Sequence, residues 1–414
     1  MQFSWLNLFL VVLVSWFSGA LVMRLGYPHV LGELLGGIIF GPPLLGLIHG
    51  DAGITLLGRL GILMMVLFIG TRVDPKDLVR SAGAAILPTF GGFVVPFVLG
   101  FFAVTKMLGG TTNAGLMVGT VMGTTALVTA SRFITDLNLL NTRLGQTLMA
   151  VALFSIIVVL VCFSASLGIV ESGGIKLEAI GIVLGKAAAF LVLIVLLGIY
   201  VFPLLGKLHE KVDRHPGSTD ELTVAILFAV GVAFIAEKFG LSFILGAFLA
   251  GLFLREEMFE KDTFANVLSA VRDASLGFLA PIFYVSAGFL VSFSALRNPV
   301  LVATVVLVSL LGKFLGGFLF SMLSGRKWRE ATVIGVGMNA RGSIDIIVAG
   351  VALEKGIISR DIYTALILMM FLANVAVPVL LRLGRDWLDR RGELAGITAQ
   401  SPGQPPKEAA PATT

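Results

Sequence analysis

Apolar residues run through this chain in blocks of about twenty, the length that carries a helix across a bilayer, and charged residues collect in short gaps between the blocks. Bounding each block by charge, glycine or proline predicts thirteen spans: 5–24, 29–48, 53–71, 82–107, 112–134, 144–170, 177–206, 221–237, 241–254, 274–293, 299–324, 330–353 and 361–382. The expected fold class is an all-α membrane protein. After Trp387 the pattern fails. The chain turns rich in proline, alanine and threonine, and 387–414 is expected to be a disordered cytoplasmic tail with too few apolar residues to fold.

Composition sharpens this reading. Hydrophobic residues make up 57% and charged residues 13%, about half the ~25% charge of a soluble domain, and the mean hydropathy is +0.98. The first block has no basic stretch ahead of it and is long enough to span, so it reads as a helix and not as a cleavable leader. Cys162, the single cysteine, excludes an intramolecular disulfide. A net charge of +5 spread over short loops gives no basic patch, so no nucleic-acid partner is expected.

Where those basic residues fall predicts sidedness. Loops after odd-numbered spans, with the segment after the last span, hold 19 Lys and Arg, and the opposite side holds 7. By the positive-inside rule the N-terminus lies outside and the C-terminus in the cytoplasm of a plasma-membrane protein. The chain also repeats itself. VLGELLGGIIFG at 30–41 matches ILGAFLAGLFLR at 244–255, pairing span 2 with span 9, and FIGTRVDPKDL at 68–78 has a weaker match in SAGFLVSFSAL at 286–296, pairing span 3 with span 10. Units seven spans apart point in opposite directions, which predicts an inverted-topology repeat. The membrane domain, 1–386, then divides into repeat 1 at about 5–170, a linker helix at about 177–206 and repeat 2 at about 221–385.

Spans 5 and 12, which the repeat pairs, are both interrupted. Span 12 contains VIGVGMNARGSIDIIVA at 333–349, with Gly335, Gly337, Asn339, Arg341, Gly342 and Asp345 at its middle. An arginine or aspartate near the midplane costs at least ~2.5–3.5 kcal/mol on insertion scales, so such groups pair with each other or line a watery path. Span 5 carries Gly119, Gly123, Thr124 and Thr125 at the same depth. Two crossed, discontinuous helices are expected, their broken ends needing compensating charge. Lys313, Arg341 and Asp345 are the charges repeat 2 offers. The alternative for Gly119 and Gly123 is close helix packing alone.

Several motifs in order, VLGELLGGIIFGPPLLGLI at 30–48, DLNLLNTRLGQ before span 6, FGLSFILGAFLAGLFL in span 9, LGKFLGG in span 11 and GMNARGSIDIIVA in span 12, resemble the monovalent cation/proton antiporter family. Its members include the glutathione-gated potassium efflux proteins and the membrane domains of Na⁺/H⁺ exchangers. The resemblance covers about residues 5–385. It implies Na⁺ or K⁺ exchanged for H⁺, a homodimer, and a core domain with the crossed spans moving against a dimerisation domain in an elevator-like cycle.

The chain departs from that family at one position. The family's ion-binding pair, ending in aspartate, lies ten and eleven residues after the glycine of the LNTxxG motif; here that glycine is Gly145 and the pair is Ser155 and Ile156. No Asp or Glu occurs between Asp136 and Glu171. A hard cation prefers oxygen ligands, and competition with a proton needs a group that takes either. Ser155 offers a neutral oxygen and Ile156 offers nothing. Asp345 is the substitute within the two interrupted spans, with two readings: an ion/proton ligand, or the partner of Arg341 in an ion-pair scaffold, four residues away on one face if the half-helix is regular. Lys313 either holds a carbonyl terminus, binds an anion, or snorkels. Glu33 and Glu237 read as structural or interfacial.

The four histidines lack metal spacing, there is no GxxxxGK[ST] phosphate loop, and no nucleophile–base pair appears. The expectation is a secondary transporter, not an enzyme and without a cofactor, whose ion site is built from Thr124, Thr125, Ser155, Asn339 and Asp345, with Lys313 and Arg341 compensating charge. Two alternatives stand beside it because the helix-6 acid is absent: transport of another, possibly anionic, solute, and a transport-inactive membrane sensor.

Overall fold

The computed structural model describes residues 4–139, 142–171, 177–197, 220–254 and 261–394. Regular structure among them is helical, without strands. The N-terminal half comprises α1 (Trp5–Arg24), α2 (His29–Phe40), α3 (Ala52–Thr71), α4 (Pro75–Phe102, extended by a π turn Ala103–Met107), α5 (Thr112–Met122), α6 (Leu127–Asp136) and α7 (Arg143–Glu171). After α8 (Leu177–Leu196) come α9 (Asp220–Lys238), α10 (Phe243–Phe253), α11 (Lys261–Ala274), a π turn Ser275–Leu279 leading into α12 (Ala280–Gly288), α13 (Pro299–Leu323), α14 (Trp328–Gly337), α15 (Ser343–Glu354) and α16 (Arg360–Asp389).

Eight helical stretches among the described residues are long and apolar enough to cross a membrane, one of them running through the α5–α6 break. Other expected spans are shorter. Spans 2 and 9 are helices of 12 and 11 residues, well under the ~20 needed to cross at full thickness. Span 2 stops at Gly41 because Pro42 and Pro43 cannot continue the ladder. The C-terminal part of span 7 lies outside the described residues, as does 395–414 of the expected tail. Helical structure passes the expected boundary at 387: α16 ends at Asp389, Leu388 is buried, and the Trp387 ring stands edge-on to Trp328 at 5.0 Å.

Helix starts are set by local chemistry. Ser4, Asp51, Thr111, Asn298 and Ser359 each accept a hydrogen bond from the backbone N–H three residues on, satisfying one of the orphan donors of a first turn. Packing is set by small residues. A Cβ on Gly316 would lie 2.1 Å from the Gly91 carbonyl oxygen, so α13 and α4 approach backbone to backbone.

The two matched sequence segments make matched contacts. In α2, a Cβ on Gly32 would strike Ser18 O of α1 and one on Gly37 would strike Val285 O of α12. In α10, the equivalent Gly246 and Gly251 meet Val232 O of α9 and Leu67 O of α3. Each segment packs on the helix before it and on the counterpart of the helix after it. The internal similarity therefore reaches tertiary packing.

Candidate functional site

The chain leaves α5 at Met122 and re-enters helix at Leu127, so the carbonyls at its end lose the regular helical ladder; Thr124 N still reaches Val121 O at 3.1 Å, but further donors must come from elsewhere. Two cations supply them. Arg341 Nη1 donates to Val121 O at 3.1 Å and Thr124 O at 3.2 Å, Arg341 Nη2 to Met122 O at 3.1 Å, and Lys313 Nζ to Gly123 O. Four consecutive carbonyls at the negative end of a half-helix are thus met by two positive charges. Both side chains are fully buried. Ser309 Oγ accepts from Arg341 Nη2 at 2.7 Å.

The second break, between α14 and α15, faces the first. Ala126 N donates to Ala340 O at 2.9 Å, and Thr125 Oγ1 to Met338 O at 3.1 Å, so each unwound segment satisfies part of the other. Asn339 Nδ2 donates to Gly335 O, and Asn374 Oδ1 accepts from Arg341 N. Unwound backbone survives at this depth because protein groups replace the missing ladder.

Asp345 sits at the start of α15 and its oxygens are occupied. Oδ2 accepts from Gly342 N at 2.8 Å, while Oδ1 accepts from Arg341 Nη1 at 3.2 Å and from Thr124 Oγ1. The Arg341–Asp345 pairing expected from helical spacing is present for another reason. Gly342 caps α15, so Arg341 precedes the helix. The pair forms where the arginine, reaching for the α5 carbonyls, passes the first turn of α15.

Ser155 and Ile156 lie on α7, both buried; Ser155 Oγ has no hydrogen-bond partner among the described residues, nor does Asn339 Oδ1. Ile156 borders a cavity of about 770 Å³ formed by α1, α2, α3, α6, the π turn with α12, and the first residues of α15. Of the oxygen ligands and cations expected from sequence, none lines it. Their neighbours do: Ala126, Leu127 and Thr129 after the first break, Gly342 and Ser343 at the second. The wall is mostly apolar, and its polar side chains are Ser15, His29, Glu33, Thr129, Arg132, Tyr284 and Ser343. Tyr284 OH is hydrogen-bonded with Ser343 Oγ. Arg132 donates to Tyr27 O and pairs with Asp136 at 3.7 Å. Glu33 is the one carboxylate on the wall, a residue that sequence reasoning set aside as structural. The signal available in the sequence was its repeat partner, since the position equivalent to Glu33 in 244–255 is Ala247. No group of three His, Cys, Asp or Glu able to hold a metal occurs among the described residues.

Comparison with known proteins agrees with this architecture. The family described as "Sodium/hydrogen exchanger, transmembrane" matches residues 9–382. The chain is 25% identical to the Na(+)/H(+)-K(+) antiporter GerN of Bacillus cereus, over 90% of this chain and 94% of that protein. Against the Na(+)/H(+) antiporter of Enterococcus hirae it is 23% identical, over 90% and 96% of the two chains. The sodium proton antiporter MjNhaP1 of Methanocaldococcus jannaschii shares the fold with a TM-score of 0.67 at 20% identity, over 95% of this chain and 98% of that one. The chain is a multi-pass membrane protein that belongs to the sodium/hydrogen exchanger family.

Proposed function

We propose that this protein is a secondary transporter that exchanges a monovalent cation, Na⁺ or K⁺, for protons across the plasma membrane. The observation that carries this reading is the pair of facing helix breaks, tied by the Ala126–Ala340 hydrogen bond and flanking one membrane-depth cavity. The Bacillus cereus and Enterococcus hirae relatives, of similar length, are named as Na⁺/H⁺-K⁺ and Na⁺/H⁺ antiporters. A transport cycle needs a rigid element that presents a site alternately to the two sides. The crosslinked breaks supply it, with Arg341, Lys313 and Asp345 as internal counter-charges and Thr124, Thr125 and Asn339 as backbone partners. Transport of an anionic solute held by Lys313 and Arg341 has less support, because both cations are spent on the α5 carbonyls.

The wider arrangement is proposed on the same footing. Thirteen spans in an inverted repeat, crossed at spans 5 and 12, place the N-terminus outside and the C-terminus in the cytoplasm, supported by the 19-to-7 bias of basic residues and by the matched contacts of α2 and α10. Two copies associate through spans 1, 2, 8 and 9 while the core moves against them. The test is purified protein in liposomes containing a pH dye, challenged with Na⁺, K⁺, Li⁺ and organic anions. Cation-induced alkalinisation or acidification that follows the imposed gradient is expected. Silence with every cation, or a response to an anion instead, would overturn the antiport reading.

A further inference from the structure

An exchanger of this kind needs one group that binds a cation or a proton but not both, and the position where the family carries it is Ile156. Asp345 cannot take over without breaking its own contacts, since three donors already hold its two oxygens. Glu33 is in the opposite condition. It is 8% exposed, has no ion pair among the described residues, and its one hydrogen bond there comes from Ser15 Oγ at 3.4 Å, near the limit of such a contact. An ionised carboxylate offers about four acceptor sites. Left ionised with one weak donor in an apolar wall, Glu33 demands a counter-ion or a proton.

The surroundings fit an exchange site. Glu33 lines the same cavity as Ile156, so the acid and the family position border one space. Ser15, Thr129, Tyr284 and Ser343 bring neutral oxygens to that cavity, the ligand type a hard cation prefers. The charged or titratable groups facing it are His29 on its own helix, Arg132 on α6 and Tyr284 on α12; α1, α3 and α15 present none. Arg132 is partly neutralised by Asp136. Room is made for the acid as well: a Cβ on Gly19 of α1 would lie 3.3 Å from Glu33 Cγ and 3.6 Å from Oε1.

Packing does not require the charge. Ala247, the equivalent residue of α10, is fully buried and carries the same helix–helix contacts through Gly246 and Gly251 with no acid present. The carboxylate is an addition to one repeat only, and it is on the side that faces the cavity.

We propose that Glu33 is the exchange carboxylate of this protein, binding the monovalent cation and the proton in turn at the cavity between α1–α3 and the helix breaks. This rests on the antiport reading above. In the cycle, the protonated acid releases H⁺ to one side as Na⁺ or K⁺ takes its place, and the cation leaves on the other side as the proton returns. Charge at the site is conserved in each swap.

The experiment pairs two readouts on the full chain. Proteoliposomes report exchange by pH dye, and detergent-purified protein reports cation binding by the rise in melting temperature with NaCl or KCl over choline chloride. Glu33→Gln should lower exchange at least tenfold and abolish the cation-dependent rise while remaining monodisperse. Glu33→Asp should retain exchange with a shifted half-saturating cation concentration. Exchange by Glu33→Gln within twofold of the unaltered protein, or an unchanged thermal response in that variant, would overturn the proposal. Carbodiimide labelling of the unaltered protein adds a test independent of variant folding: label on Glu33 suppressed by Na⁺ or K⁺ is expected, and label unaffected by cation argues against it. If the unaltered protein binds cation through Glu33 yet exchanges nothing, antiport fails while the site stands. If it exchanges cation for protons and Glu33→Gln does so equally, the site fails while antiport stands.

Discussion

Arg341 does the work that an unbroken helix would do for itself. Its guanidinium covers three carbonyls of the α5 end and touches Asp345, Thr124 and Ser309, so its neighbours' charges and dipoles are arranged around it. Removing one partner strands the other. Asp345→Asn should destabilise the protein by about 3–5 kcal/mol, the range for a broken buried pair, and adding Arg341→Gln should not recover that loss, because the Val121, Met122 and Thr124 carbonyls then lose their donor as well. Thermal melts of the single and double variants check this. If Asp345→Asn melts like the unaltered protein yet no longer exchanges, Asp345 is a ligand and not a scaffold. Lys313→Met leaves Gly123 O without its donor and should cost about 1–3 kcal/mol. Outside the membrane, Asp51 ties the start of α3 to Asn7. Burial pushes its carboxyl up, but the Ile54 N–H, the Asn7 side chain and the Ser4 and Gly53 N–H groups outweigh that and hold it below the ordinary carboxylate range. A depressed folded value means the cap's contribution is complete above about pH 4 and fades as pH falls through the folded value. Asp51→Asn should flatten the acid limb of a melting-temperature profile.

At the scale of elements, the chain trades side chains for proximity. The α4–α13 contact depends on Gly316 lying against the Gly91 carbonyl, and a methyl there has no flexible neighbour to displace. Gly316→Ala should lower the melting temperature by several degrees, reflecting overpacking of about 1–3 kcal/mol. Gly350→Ala in α15, with no atom within 4 Å of the new methyl, should be neutral or slightly stabilising. Equal effects of the two changes would remove the packing argument. The elements are also where sequence reading stopped short. Hydropathy located the helices because a bilayer imposes length and apolarity, but it could not see that α2 ends at Phe40, since residues 44–48 stay apolar after the prolines. Arg341 and Lys313 stood out in the sequence because a charge in an apolar run demands a partner. Which partner was not legible: the α5 carbonyls are about 190–220 residues away, and only the fold brings them together. The cavity that Glu33 lines was not legible for the same reason, being assembled from seven helices and a turn.

At the scale of the molecule, the interior meets its own broken helix ends with Arg341 and Lys313, and the proposed exchange site lies on the cavity wall beside them. The proposed sidedness and assembly are tested at the surface. A reporter in the 207–220 loop should read as cytoplasmic and one at the N-terminus as external, given the 19-to-7 bias; both on one side would contradict the thirteen-span arrangement. The α1 face exposing Trp5, Phe9, Trp16 and Phe17 should crosslink between copies in native membranes if spans 1, 2, 8 and 9 form the dimer, and exclusively monomeric products would argue against it. The most direct measurement follows radiolabelled sodium or rubidium and internal pH together in one preparation of proteoliposomes. Antiport predicts that every cation taken up is matched by proton release, that reversing the pH gradient reverses the cation flux, and that both signals vanish together in Glu33→Gln. Cation flux without proton movement, or proton movement indifferent to cation, would contradict exchange by this protein.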